Sequence, residues 1–230
     1  MTSYILYDLA GHDQDVRFSP FCWLAKYALK HKQVEFDTNA LGFQPKAHYP
    51  DPEYGKLPML KVGDDLIKGS NQIVQWLDAN VQANPLVDGD AGAARVSEVS
   101  DFLGQALYPA VGPLLFHRVA DALSADDRDY FVPNREARFG QKLDAMAQAP
   151  GQAEKAAGAM ETLATLLADQ PYLSGNVPAL PDYLVLAPFL WQRSITGETL
   201  YPQPEIVTTW LERMLDLFDG YGRQAKCAGC

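Results

Sequence analysis

The segment Tyr4-Ile5-Leu6-Tyr7-Asp8-Leu9 is followed, after a polar stretch from Gly11, by Phe18-Ser19-Pro20-Phe21-Cys22-Trp23. The first run is short, apolar and rich in β-formers, which predicts a buried strand. Ser19 before Pro20 is the signature of a helix start: a hydroxyl to cap exposed amides, then a proline where the first turn tolerates it. Phe21, Leu24, Ala25, Ala28 and Leu29 follow at helical spacing and predict a helix to about Lys32. Strand, polar loop, capped helix is the opening of an α/β unit.

Working outward, Val34 to Thr38 alternates and reads as a second strand. A proline-containing loop covers Leu41 to Tyr54. Lys56 to Val62 reads as a strand carrying Pro58, Asp64-Asp65 as a turn, Leu66-Ile67 as a short returning strand, and Asn71 to Val81 as a helix. This order predicts a thioredoxin-like domain over residues 1–82. Gln82 to Gly92 is rich in Pro, Gly, Asp and Asn and reads as a linker. Beyond it helical patterns run over Val96–His117, where Pro109 and Pro113 are expected to bend or end the helix. Further helical patterns cover Asp126–Met146, Gln152–Ala168, Tyr183–Arg193 (interrupted by Pro188) and Glu205–Phe218. The expected architecture is α/β followed by all-α, with the helical domain over 91–230.

Composition narrows the function. The 230 residues carry a formal net charge of -10, which argues against nucleic acid and against an anionic membrane surface. An anionic ligand has to be held by local donors against that field. No run of about 18 apolar residues predicts a membrane span, no secretory signal is visible at the N-terminus, and three cysteines fit a reducing cytoplasm better than a disulfide framework. The histidines at 12, 31, 48 and 117 have no metal-ligand spacing, so no metal is expected. Cys227-Ala228-Gly229-Cys230 has no second ligand pair and no helix after it, and reads as a flexible tail.

Three motifs carry chemistry. Ser19 sits where the unpaired amides of a helix start stabilise an anion, and its hydroxyl suits donation to a bound sulfur; an N-cap without further role is the other reading. Pro58 inside an apolar strand is accommodated either on an edge or by a cis Leu57–Pro58 bond, which exposes the Leu57 main chain to an added peptide strand. In Gly69-Ser70-Asn71, Ser70 caps the next helix, whose N-terminus suits a carboxylate or serves the cap alone. Cys22, three residues into the first helix, reads either as a buried core thiol or as the nucleophile of a thiol oxidoreductase.

Together and in this order the three motifs resemble the glutathione-binding half of the cytosolic glutathione transferases. That resemblance implies Ser19 at the glutathione sulfur, Leu57 paired with the cysteinyl backbone, Pro58 cis, Ser70 at the γ-glutamyl carboxylate and Lys56 near the glycyl end. Two departures stand out. Gly69 takes the place of the family's usual acid before the serine, leaving Asn71 or a partner subunit to bind the glutamyl amine. The helical domain's capping box reads Ala179-Leu180-Pro181-Asp182, without its N-cap hydroxyl. Trp23, Lys26 to Lys32, Ala110 to Pro113, Asp127 to Tyr130 and Trp210 to Gly220 resemble the bacterial β-aryl-etherase branch and its fungal relatives, which cleave lignin-type ethers with glutathione. The resemblance implies a cytoplasmic homodimer that takes glutathione as co-substrate, together with a small hydrophobic or aromatic electrophile. Phe21, Tyr108, Phe116 and Trp191 read either as the walls of an electrophile pocket or as plain core aromatics. A non-catalytic ligand-binding protein of the same fold is the reading from a different functional class.

Overall fold

The computed structural model describes residues 2–168 and 170–230. Its first part is a four-stranded sheet of β1 (Tyr4–Leu9), β2 (Asp37–Leu41), β3 (Met59–Val62) and β4 (Asp65–Lys68) in the order β2-β1-β3-β4. β1 and β2 are parallel; β3 runs antiparallel to β1 and to β4. Two helices belong to this unit, α1 (Pro20–His31) and α2 (Ser70–Asn80). The rest of the described chain is helical: α3 (Gly89–Phe102), α4 (Tyr108–Asp121), α5 (Ala125–Phe139), α6 (Leu143–Ala147), α7 (Gln152–Leu167), α8 (Leu180–Thr196) and α9 (Glu205–Gly220). This is a thioredoxin-like fold joined to a helical domain. Among the described residues no helix is long and apolar enough to cross a membrane.

The two parts share one core. α1 is covered on both sides, by the sheet and α2 on one and by α8 on the other, so every residue from Cys22 to Leu29 is buried. Leu6 and Leu60, opposite each other across β1 and β3, are sealed under α1 with Ile73 and Leu77 of α2. Tyr27 of α1 packs on Tyr183 of α8 (ring centroids 5.5 Å apart). Burial of this many apolar side chains, at about 1.5–3 kcal/mol each, dominates the folding free energy.

Several expected boundaries move, each for a local reason. β2 begins at Asp37, not Val34: Gln33 takes a positive φ of 55° and the Val34 amide returns to the Leu29 carbonyl, so Val34 closes α1 and packs in the core. Pro109 and Pro113 do not end the helical run. A π-helical turn over Leu103–Leu107 precedes Pro109, and α4 continues through Pro113. Pro113 has no N–H for the Pro109 carbonyl four residues back; the buried Gln152 amide donates to the carbonyls of Pro109 and Ala110 instead. The expected helix over 126–146 is two, divided at Gly140, which takes a left-handed φ of 71°. α8 runs uninterrupted past Pro188, and α9 loses helical geometry at Leu217–Asp219.

Two further expectations are corrected. Ser70 is the first residue of α2, not its cap; Gly69, at φ 92°, holds the cap position. The C-terminal residues are not a loose tail. The Ala228 amide donates to the Ser194 carbonyl at 2.9 Å, and Cys227 and Cys230 are disulfide-bonded against Gly197 at the end of α8. At Ala179-Leu180-Pro181-Asp182, Asp182 caps backwards by accepting from the Ala179 amide at 3.2 Å, as its position three residues into the helix allows.

Candidate active site

The loop between β1 and α1 is folded back on itself. Gly11 donates to the Val16 carbonyl, Ala10 bridges Arg17, and the Trp23 indole donates to the Arg17 carbonyl at 2.8 Å. This closure delivers Ser19 to the N-terminus of α1 with an extended backbone (φ -64°, ψ 122°). Its hydroxyl oxygen accepts from the Cys22 amide at 3.4 Å. That cap uses a lone pair and leaves the hydroxyl proton to be donated elsewhere. Ser19 is 5% exposed, and that sliver opens on a cleft of about 1020 Å³.

Across the cleft lies Leu57, whose bond to Pro58 is cis. Among the described residues the Leu57 main chain makes no hydrogen bond, because β3 pairing begins only at Met59. An unpaired main-chain donor and acceptor on a cleft wall is a place for a peptide ligand. Lys56 lines the same wall. The preceding loop is pinned by Gln44, whose amide donates to Asp127 at 2.6 Å, and by Tyr49, whose hydroxyl donates to the Gly42 carbonyl at 2.8 Å. Lys46 donates to the Gly55 carbonyl and lies over Tyr49 and Tyr130.

The helical side supplies aromatic walls. Phe21, 53% exposed, stacks on Tyr108 with centroids 6.3 Å apart. Phe116 packs on Trp191 at 5.7 Å and on Phe139 at 5.2 Å. Gly112 makes this possible: a Cβ there would lie 3.2 Å from the Phe116 ring. The four aromatics picked out in the sequence thus line one cleft together with Ser19, Lys56 and Leu57. Burial pushes the Tyr108 phenol up, so it is a neutral hydroxyl at the cleft.

Pro58, Gly69, Ser70 and Asn71 do not border this cleft. Pro58 and Ser70 are buried, Asn71 is exposed, and the Gly69 amide donates to the Pro58 carbonyl at 2.9 Å. A Cβ on Gly69 would lie 2.8 Å from the Tyr54 hydroxyl and 2.9 Å from Gln72 Oε1, so these two side chains would have to shift, and the φ of 92° would strain any side chain there. Cys22 is 1% exposed, and its thiol is pushed well up by burial and then by the Asp8 carboxylate, with the Ser19 hydroxyl opposing in part. A buried thiol held protonated is a poor nucleophile. Among the described residues no group of His, Cys, Asp or Glu is placed to hold a metal ion.

The sequence reading missed Phe43, Tyr130, Phe131, Arg135, Arg138 and Phe139, all on the cleft. The spacing 131, 135, 138 and 139 on α5 is one helical face and was the available signal. A second groove of about 1250 Å³, beside His31 and Pro85, has neither Ser19 nor an unpaired strand edge and lies away from this chemistry.

Residues 96–221 match the family model of the glutathione S-transferase C-terminal domain, and residues 14–85 that of the N-terminal domain. Among solved structures the chain is similar to a glutathione S-transferase of Ceriporiopsis subvermispora in complex with glutathione, at 20% identity over 97% of this chain and 94% of that one, with a TM-score of 0.71. It is similar to a glutathione transferase from Phanerochaete chrysosporium at 18% identity over 97% and 95%, TM-score 0.73. Glutaredoxin 2 from Salmonella typhimurium in complex with glutathione is similar at 23% identity over 93% of each chain, TM-score 0.69. At these identities the structural likeness is one of fold.

Proposed function

The chain belongs to the glutathione S-transferase family, and we propose that it activates the thiol of glutathione at Ser19 for attack on an aromatic electrophile held by the helical domain. The reading divides the chain into a glutathione-binding domain over 1–82 and an electrophile-binding domain over 91–230, in a cytoplasmic homodimer. Glutathione lies along the Leu57 main chain with Lys56 toward its glycyl end, beside Pro58, and with Gly69, Ser70 and Asn71 toward its glutamyl end. Phe21, Tyr108, Phe116 and Trp191 hold the electrophile.

One observation carries the reading: Ser19, with a free hydroxyl proton at the start of α1, faces the same cleft as the unpaired Leu57 main chain. A free thiol has a pKa near ~8.5. A hydrogen bond to a charged group is worth about 1.5–3 kcal/mol and a helix terminus about 0.3–1 kcal/mol. At about 1.4 kcal/mol per unit, these lower a bound thiol by ~1–3 units, which makes thiolate abundant near neutral pH. The thiolate forms a carbon–sulfur bond as the leaving group departs with the electron pair. For a β-aryl ether, the leaving group is a phenoxide that takes up the thiol's proton. Orientation by the cleft supplies the remaining rate enhancement.

The test is a product assay with glutathione and a β-aryl ether, or a simpler aryl halide if the ether is inert, comparing the native chain with Ser19→Ala. Loss of conjugation in the variant with glutathione binding retained supports the proposal. Equal rates sink it. The crowding at Gly69 favours one rival, a non-catalytic carrier of the same fold; calorimetry showing no glutathione binding but tight binding of an aromatic ligand selects that rival. The oxidoreductase reading through Cys22 is disfavoured by the burial of its thiol.

A further inference from the structure

The cleft is cationic in an acidic protein. Lys46, Lys56, Arg135, Arg138 and Lys155 line it, and no aspartate or glutamate does, although the chain has 29 acidic residues against 19 basic ones. Among the described residues none of these five forms an ion pair. Two acids in their neighbourhood, Asp127 and Glu136, are engaged in other hydrogen bonds or ion pairs. Asp127 accepts from the Gln44 amide, and Glu136, next to Arg135, pairs with Lys142 and accepts from the Leu143 amide.

The two arginines stand together on one helix. Arg135 and Arg138 are three residues apart on α5 and so share a face. The Arg135 guanidinium lies 4.8 Å from the Phe131 ring centroid, and that of Arg138 lies 5.4 Å from the Phe139 centroid. They are spread on the aromatic wall, Arg135 half-buried. Burial and then the Arg138 charge push Arg135 below its usual range, so two like charges sit side by side without a counter-charge. A bound anion offsets both the burial of the Arg135 charge and its repulsion by Arg138. Arginine forks match carboxylates in two-bond geometry.

Resting on the transferase reading, we infer that the preferred electrophile is an aromatic acid, its carboxylate held by Arg135 and Arg138 and its ring lying against Phe116 and Phe139. Glutathione itself carries carboxylates. Lys56 lies next to Leu57, on the tripeptide's side; Lys46 reaches from the same segment to Tyr130 of α5, and the arginines lie on the helical wall. Lys56, next to Leu57, therefore serves the tripeptide and the arginines serve the electrophile.

The probes are 4-chloro-3,5-dinitrobenzoate and its methyl ester. In both, the glutathione thiolate forms a bond to the ring carbon, chloride leaves with its electron pair, and the thiol proton goes to solvent. Each kcat/KM is divided by the uncatalysed rate constant of the same compound. The native chain is expected to favour the acid by about tenfold or more, the equivalent of one charged hydrogen bond. The acid-to-ester ratio is expected to fall to near one in R135Q/R138Q, to recover largely in R135K/R138K, and to shrink with added salt. No acid preference in the native chain overturns the proposal. So does a double variant that raises the glutathione KM in the same proportion, since the arginines then serve the tripeptide. If neither compound is turned over, the β-aryl ether assay decides the transferase reading, and calorimetry with 4-(phenoxymethyl)benzoate and its methyl ester decides the subsite alone. Tighter binding of the acid that disappears in R135Q/R138Q upholds it, and equal binding overturns it.

Discussion

The indole N–H of Trp210 donates to the carboxylate of Asp182 at 3.0 Å, joining α9 to the N-terminus of α8. Asp182 is 0% exposed and also accepts from the amides of Leu173, Ser174 and Ala179 and from the Ser174 hydroxyl at 2.6 Å. One buried carboxylate thus ties together the loop before α8, the cap of α8 and α9. Removing it strands several buried donors at once. Asp182→Ala is expected to lose about 3–4 kcal/mol of stability in urea unfolding, and Asp182→Asn somewhat less because it keeps one acceptor. Trp210→Phe should cost less than either. A change in Asp182→Ala within experimental error would remove this node from the account of stability.

His31 gives the fold a pH dependence. Its Nδ1 lies 2.8 Å from the Tyr183 hydroxyl and its Nε2 3.2 Å from the Pro85 carbonyl. A carbonyl only accepts, so Nε2 carries the proton and Nδ1 accepts from the tyrosine. Burial lowers the His31 pKa. The unfolded chain therefore takes up a proton first, near pH ~6.5, and stability falls as pH drops from there through the lower folded value. Asp127, raised by burial, acts with the opposite sign nearer pH 4, and Asp78, lowered in the folded chain, loses its contribution below that. Unfolding curves from pH 7 to 5 for native and His31→Asn isolate the histidine. The slope should flatten in the variant, and an unchanged slope assigns the effect elsewhere.

On the proposed mechanism, Ser19→Ala removes the hydroxyl that donates to the glutathione sulfur. A charged hydrogen bond of about 1.5–3 kcal/mol corresponds to a roughly 10- to 150-fold loss in kcat/KM, with the ascending limb of the pH profile, set by thiolate formation, moved up by ~1–2 units. The cap lost at α1 costs a further ~1 kcal/mol of stability. Rate against pH separates the two effects, because a purely structural role leaves the profile where it is.

Cys22→Ala should keep conjugating activity. The thiol is sealed among Leu9, Phe18 and Val119, and truncating it costs roughly 1 kcal/mol of packing. Abolished turnover in a variant that still unfolds cooperatively would instead favour a thiol oxidoreductase.

Gly69→Glu should not improve glutathione binding, although it restores the residue type usual in the family. The left-handed φ of 92° strains any side chain there, and its Cβ would collide with the Tyr54 hydroxyl and Gln72. Calorimetry with glutathione and a thermal melt should show equal or weaker binding and a less stable protein. Tighter binding would mean that this region rearranges to seat the acid.

Much of this molecule was legible in order and pattern. β1, α1 and Ser19 follow from a β-rich run, a serine and a proline, since local sterics and capping act within a few residues. The aromatic identity of Phe116 and Trp191 was visible, as was the helical second half. Boundaries were misread where distant groups intervene. Pro113 fails to break α4 because Gln152, 39 positions later in the sequence, satisfies a carbonyl the proline leaves unpaired. Val34 looked like strand because its apolar side chain packs into the core while its backbone finishes a helix.

Sequence alone therefore determined the kind of domain, the helix start that presents Ser19 and the stock of aromatics on the helical side, because each depends on neighbouring residues. Tertiary structure alone decided that Arg135 and Arg138 face the cleft without acids, that Cys22 is shut away and that Gly69 takes a φ that strains any side chain. Burial, counter-charges and close approach depend on residues brought together from far along the chain, and no local pattern encodes them.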